Sequence, residues 1–295
     1  MKKLFFSIVF FIVTVFQINA QSLSPFYDCG TSNGNLSQVK DKVKKNLKDA
    51  GFYVTGGYFV GGNKKWYVLT VSSKNLQSIC LKVKDKGLFA ANLRVGFIVN
   101  NDKVTITALN PKYMFAGYFR NEYDKYKSSL SQLSSKFLSA IKSINGKLVS
   151  FGGSLELSKL KKYHYMMGMP YFDDYIELKE FSSFEKAVST ITNNLKNNKS
   201  HTRLVYKLEY KNSKKAVIGV GLLDKEKGAQ HFLPIIGYKH LAAMPYEIVI
   251  YGNKAYMLHG RFRFAMYWPE LSMSQFSKIM STPGDIEDIM ESLTE

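Results

Sequence analysis

The chain has 295 residues, 45% of them hydrophobic and 14% aromatic, and a formal net charge of +18. That apolar content excludes a disordered chain and can fill one large domain or two ordinary ones. Cys29 and Cys80 are its only cysteines, which excludes a disulfide framework. A single Cys29–Cys80 bridge stays open, beside the reading of Cys80 as a small buried hydrophobe in the pattern Leu76, Cys80, Val83.

Lys2 and Lys3 precede an almost unbroken apolar run from Leu4 to Phe16, and Ala20 stands before Gln21. A basic start, an apolar stretch and a small residue at the cut describe a secretory signal peptide over residues 1–20. The run is shorter than the ~20 residues that a membrane-spanning helix needs. The remaining chain is therefore expected to be secreted or periplasmic, and not transmembrane after signal cleavage. Residues 21–150 hold 20 Lys and Arg against 7 Asp and Glu, whereas residues 151–295 hold 19 against 16. The basic excess of the first part suits an anionic partner such as an acidic glycan or lipid surface, and serves equally as a solubilising lysine coat. No aromatic-interleaved basic motif points to nucleic acid.

In chain order, Leu36, Val39, Val43 and Leu47 predict a helix whose outer face carries Lys40, Lys42, Lys44, Lys45 and Lys48. Strands follow over 52–60 and 66–71, joined by a turn at Gly61-Gly62-Asn63-Lys64. A short helix around Cys80 leads to a second hairpin, Leu93–Val99 with Lys103–Thr107. The stripe Leu130, Leu133, Phe137, Ile141, Ile144 then predicts a long helix. Residues 151–171 read as a linker containing Gly152-Gly153 and Pro170, and Phe172–Leu178 as a strand.

The order then recurs. Phe184, Ala187, Ile191 and Leu195 repeat the first helical stripe 148 positions later, with Ser182 and Glu185 as a capping box. Hairpins follow over 202–210 with 216–222 and over 246–250 with 254–258. Lys254 matches Lys103 at a shift of 151. Leu271, Phe276 and Ile279 start a helix that Pro283-Gly284 interrupts, and Asp285 caps a last piece containing Ile286, Ile289 and Leu293. The expected fold is α+β: two tandem units over 21–150 and 172–295, each an antiparallel sheet of hairpins packed against helices.

The helix ending Leu47-Lys48-Asp49-Ala50-Gly51-Phe52, the helix around Cys80 and the strand running through Ala108-Leu109-Asn110-Pro111-Lys112-Tyr113-Met114 resemble the bacterial family known as domain of unknown function 302. The resemblance covers residues 35–145, with Asn110-Pro111-x-Tyr113-Met114 its most specific element. It implies small α+β domains, exported or held at the cell envelope, and it implies no mechanism. The second part departs from it, with Arg261-Phe262-Arg263-Phe264 in place of Asn-Pro-x-Tyr.

Candidate ligand residues are Arg261, Arg263 and His259, with Asn110 and Tyr113 from the family stretch. Read as a strand, Arg261 and Arg263 share one face and could grip a carboxylate or phosphate; a solvated strand face explains the same pattern. His164, Met166, Met167 and Met169 gather soft ligands that suit copper, and Met fills core gaps equally well. Asp173 and Asp174, adjacent in a strand, would point to opposite faces and not converge. There is no His-Glu-x-x-His, no Gly-x-Ser-x-Gly elbow and no phosphate-binding loop. No cofactor is implied. The expected function is a non-catalytic binding or envelope-associated protein with an anionic ligand or a protein partner, and periplasmic copper handling is the alternative.

Overall fold

The computed structural model describes residues 21–295. The expected signal peptide, residues 1–20, lies outside the described residues. The fold is α+β with antiparallel sheets.

After a short strand β1 (Ser22–Leu23), β2 (Phe26–Asn33) leads into helix α1 (Leu36–Asp49). Asn35 accepts from the Gln38 backbone N–H, and the Gln38 side chain returns the bond to the Asn35 N–H, so two otherwise orphaned donors are satisfied. Val39, Val43 and Leu47 are buried as their spacing predicts, each contributing about 1.5–3 kcal/mol. Gly51, at φ +89°, ends the helix where a side chain would be strained. The hairpin β3 (Tyr53–Phe59) and β4 (Trp66–Ser72) follows, then α2 (Lys74–Lys82) and a 3-10 turn at Gly87–Ala90. The hairpin β5 (Leu93–Asn100) and β6 (Lys103–Leu109) precedes α3 (Pro111–Phe119), α4 (Tyr123–Asn145) and β7 (Val149–Phe151). Helices α1 and α4 pack on each other and cover one face of this sheet.

The connecting segment is more ordered than a linker. It holds β8 (Leu155–Glu156), paired with β1, and a single turn α5 (Leu157–Leu160). Next come β9 (Ile176–Glu180), α6 (Phe184–Lys196), β10 (Thr202–Tyr210), β11 (Lys215–Leu222), α7 (Ala229–Ile236), a 3-10 turn at Tyr238–Ala243, β12 (Tyr246–Tyr251) and β13 (Lys254–Met257). The chain ends in α8 (Gly260–Tyr267), α9 (Met273–Phe276) and α10 (Thr282–Ser292).

Local chemistry moves several expected boundaries. Ser183, not Ser182, caps α6, accepting from the Lys186 N–H at 3.1 Å. Pro283-Gly284 does not interrupt a helix: Pro283 lies in the first turn of α10, where its missing N–H costs nothing, and the break falls earlier. Asp285 is consequently inside α10 rather than at its cap. Asp173 and Asp174 precede β9 and are not strand residues; Asp173 pairs with Arg120 at 2.7 Å and Asp174 accepts from the Tyr171 N–H.

The first sheet has the order β3-β4-β5-β6-β2-β7 and the second β10-β11-β12-β13-β9. Without its extra edge strand β7, the first sheet has the same succession of strands as the second. The sheets meet across one continuous apolar core, and the contact is reciprocal. The 3-10 turn preceding β12 packs on β4, β5, β6 and β2, and the equivalent turn preceding β5 packs on β11 and β12. Glycines allow the approach. A Cβ on Gly56 of β3 would collide with the Val205 carbonyl oxygen of β10, and one on Gly221 would meet the Tyr58 ring.

Candidate functional site

Among the described residues, three charged side chains lie inside the protein where the sheets meet: Arg94 on β5, Glu247 on β12 and Arg263 on α8, none more than 3% exposed. Arg94 donates to Glu247 Oε1 through one Nη and to the Tyr267 hydroxyl at 3.2 Å through the other. Arg263 donates to the carbonyl oxygens of Ala243 and Pro245 at 2.6 and 2.7 Å, lies 3.6 Å from Glu247 Oε2, and stacks 3.7 Å over the Tyr246 ring. Burial raises the pKa of neighbouring Tyr58, Tyr118 and Tyr206, so these hydroxyls stay neutral and do not offset the guanidinium charges. The carboxylate thus serves two guanidinium groups in a closed interior, a lock between the sheets.

This geometry corrects the expectation for Arg261 and Arg263. The stretch is helix α8, not a strand, because His259 caps it: its ring accepts from the Arg261 N–H at 3.2 Å. Residues two apart on a helix diverge, and Arg263 goes into the lock while Arg261 faces outward. His259 also lies 3.3 Å from Glu287. Asn110, 149 positions earlier, caps α3 in the same way, so the expected strand through Met114 ends at Leu109. The Asn110 amide donates to the Ser24 carbonyl, and the buried Tyr113 hydroxyl donates to the Met266 carbonyl at 2.5 Å. Both family-stretch candidates are therefore committed to internal contacts.

The structure does bring Arg261 together with Met166 and Met169, which the sequence placed in two different sites. The connecting segment folds over α8 and α9 and leaves an apolar pocket of about 110 Å³. Arg261, Phe264 and Trp268 enter it from one face of α8 and its end, at a spacing of three and then four. Met166 and Met169 close it from the connecting segment, and Met273 from α9. Among the described residues, Arg261 is the one charged side chain in its lining. Tyr165 is shared with an adjoining open groove of about 850 Å³ that carries Lys159, Lys161, Lys162 and His164 against Glu156.

The expected copper-type set does not converge. His164 is bound to the Met169 carbonyl at 2.7 Å, is stacked on Tyr171 at 3.9 Å, and faces the groove. Met166 and Met169 face the pocket, and Met167 is 96% exposed. Among the described residues, no group of three or more His, Cys, Asp or Glu side chains could hold a metal ion. The candidate disulfide is also corrected: Cys29 on β2 and Cys80 on α2 are free, buried thiols. Burial pushes both up, Cys29 to about 12, so neither is a thiolate at neutral pH.

His240 links the sheets a second way. It is 7% exposed among the rings of Phe26, Phe151 and Trp268, with Nδ1 3.1 Å from the Gly237 carbonyl and Nε2 3.2 Å from Glu270. The neighbouring Lys239–Asp28 pair, at 2.7 Å, is the other charged contact of this turn. Burial lowers the His240 pKa below 6.5, although Gly237 and Glu270 oppose it. The unfolded chain therefore binds the proton first as pH falls, and stability held above pH 6.5 is lost on the way down through the folded pKa. Urea midpoints measured from pH 7.5 to 5 are expected to fall, and His240→Gln to flatten the slope. An unchanged slope would contradict this assignment.

No protein-family model matches the chain, and no curated protein matches it. Among solved structures, the crystal structure of an uncharacterized conserved DUF302 protein from Bacillus stearothermophilus aligns at 13% identity and a TM-score of 0.33. The alignment covers 39% of this chain and 96% of that one. Among the described residues, no helix is long and apolar enough to cross a membrane.

Proposed function

We propose that the protein is an exported, non-catalytic binding protein made of two tandem α+β units of the DUF302 kind, and that its pocket takes a small anion with an apolar body. Export rests on the residue pattern of 1–20. Duplication is supported by the matching strand order and by the capped helices that follow Leu109 and Leu258.

The observation that carries the ligand reading is Arg261, a lone cation in the lining of an otherwise apolar pocket. Pockets of this type bind through apolar area and orient through few polar groups. About 110 Å³ is less than the ~150 Å³ cavity that admits benzene, so a short acyl chain fits as the pocket stands and a single ring enters by displacing the flexible methionines at its rim. The basic groove beside it favours the approach of an anion.

Phenylacetate and benzyl alcohol separate the contributions of charge and ring. Fluorescence of Trp268, which lines the pocket, is expected to report saturable phenylacetate binding. Arg261→Gln should weaken that binding by about tenfold, the loss of one charge-assisted hydrogen bond, and leave benzyl alcohol unchanged. If neither probe saturates, the pocket is not a binding site. If both weaken together, Arg261 acts on the shape of the pocket and not through its charge.

A further inference from the structure

Lys86 stands at a left-handed φ of 53°, a conformation that costs a non-glycine residue on the order of 1 kcal/mol. Strain of this kind persists where the surroundings hold it. Here the two preceding residues are fixed: the Lys84 N–H donates to Glu122 at 2.7 Å, and Arg120 joins Asp85 to Asp173. The result carries the Lys86 ammonium away from its own sheet and into three tyrosines of the other half.

Its Nζ lies 4.3 Å from the ring centre of Tyr175, 4.4 Å from that of Tyr256 and 5.1 Å from that of Tyr251. The rings form a built cage. Tyr251 and Tyr256 belong to the β12–β13 hairpin, and Tyr175 enters just ahead of β9, which pairs with β13. Tyr175 meets Tyr256 edge to face at 5.3 Å, and the Tyr251 hydroxyl accepts from the Leu88 N–H at 3.2 Å. All three rings are half-buried, so the cage reaches solvent. Among the described residues, no carboxylate lies within ion-pair distance of Lys86. Among the described residues, the Tyr175 hydroxyl, at 3.1 Å, is its one hydrogen-bond partner.

A primary ammonium has three donors and is strongly hydrated, so a site offering three ring faces and one hydroxyl serves it poorly. A quaternary ammonium has no N–H to satisfy and gains the same attraction to the ring faces, which is how aromatic cages recognise such groups. We propose that Tyr175, Tyr251 and Tyr256 form a binding site for quaternary ammonium head groups, with Lys86 as an internal occupant that the ligand displaces. This site is independent of the Arg261 pocket.

Choline and ethanolamine, titrated into the full chain and followed by tyrosine ring NMR shifts, test it. Lys86→Ala is expected to bind choline at least ~10-fold more tightly than the unaltered chain, because the ammonium that lies over all three rings is gone while Lys215, 5.0 Å over Tyr251, is common to both. Choline should exceed ethanolamine by a similar factor, and Tyr256→Ala added to Lys86→Ala should abolish saturation. Folded Lys86→Ala protein without saturable choline binding, or with equal binding of the two amines, would overturn the proposal. Should Lys86→Ala not fold, Lys86→Gln keeps the stem, removes the charge and is read in the same way.

Discussion

Replacing Glu247 with leucine is expected to destabilise the protein by about 3–5 kcal/mol, because two buried guanidinium groups lose their shared carboxylate. Arg94 is left with the Tyr267 hydroxyl alone, whereas Arg263 retains the Ala243 and Pro245 carbonyls and the Tyr246 ring. The two arginines should therefore respond differently. Adding Arg94→Met to Glu247→Leu is expected to recover most of the loss, since the pair becomes apolar and Arg263 keeps its carbonyl partners. Urea denaturation of the two single variants and the double variant gives the coupling as the departure from additivity. Additive losses would mean that Arg94 and Glu247 are neighbours and not a unit.

The second large effect concerns the approach of the two sheets. Gly56→Val would drive a branched side chain into the Val205 carbonyl and the Tyr206 Cβ, the latter 3.2 Å from where a Cβ would stand. Neither is the free end of a flexible chain, so β3 and β10 would have to separate, at a cost of about 3 kcal/mol or more. The comparison is Gly284→Ala in α10, where a Cβ meets nothing within 4 Å. That change should be neutral or stabilise by up to ~1 kcal/mol, through lost freedom in the unfolded chain. Thermal unfolding of both variants checks the contrast. Equal melting temperatures would show that the sheets are not in close contact at Gly56.

Much of the secondary structure was legible because local patterns and burial agree. The stripe Val39, Val43, Leu47 and its counterpart Ala187, Ile191, Leu195 are buried as their spacing requires. The hairpins fall within a residue or two of their turn signals. Misreadings occur where a cap competes with a strand. Arg261-Phe262-Arg263-Phe264 alternates like a strand, but His259 supplies a helix start and the alternation breaks into one exposed and one buried arginine. Asn110 does the same ahead of Tyr113.

The lock was illegible for a different reason. Arg94 sits between Leu93 and Val95, where period-2 logic assigns it to a solvent face, yet that face is covered by the second sheet. Its partner Glu247 is 153 residues away in the chain, and no local signal joins them. The pocket likewise draws on the connecting segment, α8 and α9. Trp268 and Met273 had no mark in the sequence that set them apart from core residues, and only the fold places them beside Arg261.

Methyl NMR of the methionines during a phenylacetate titration tests the pocket most directly, because the side chains themselves report where the ligand goes. Met166, Met169 and Met273 should shift together and saturably, while Met167 and Met280, which do not line the pocket, stay in place. A spectrum in which those three methyls do not move, or in which Met167 and Met280 move with them, would contradict a ligand seated on Arg261.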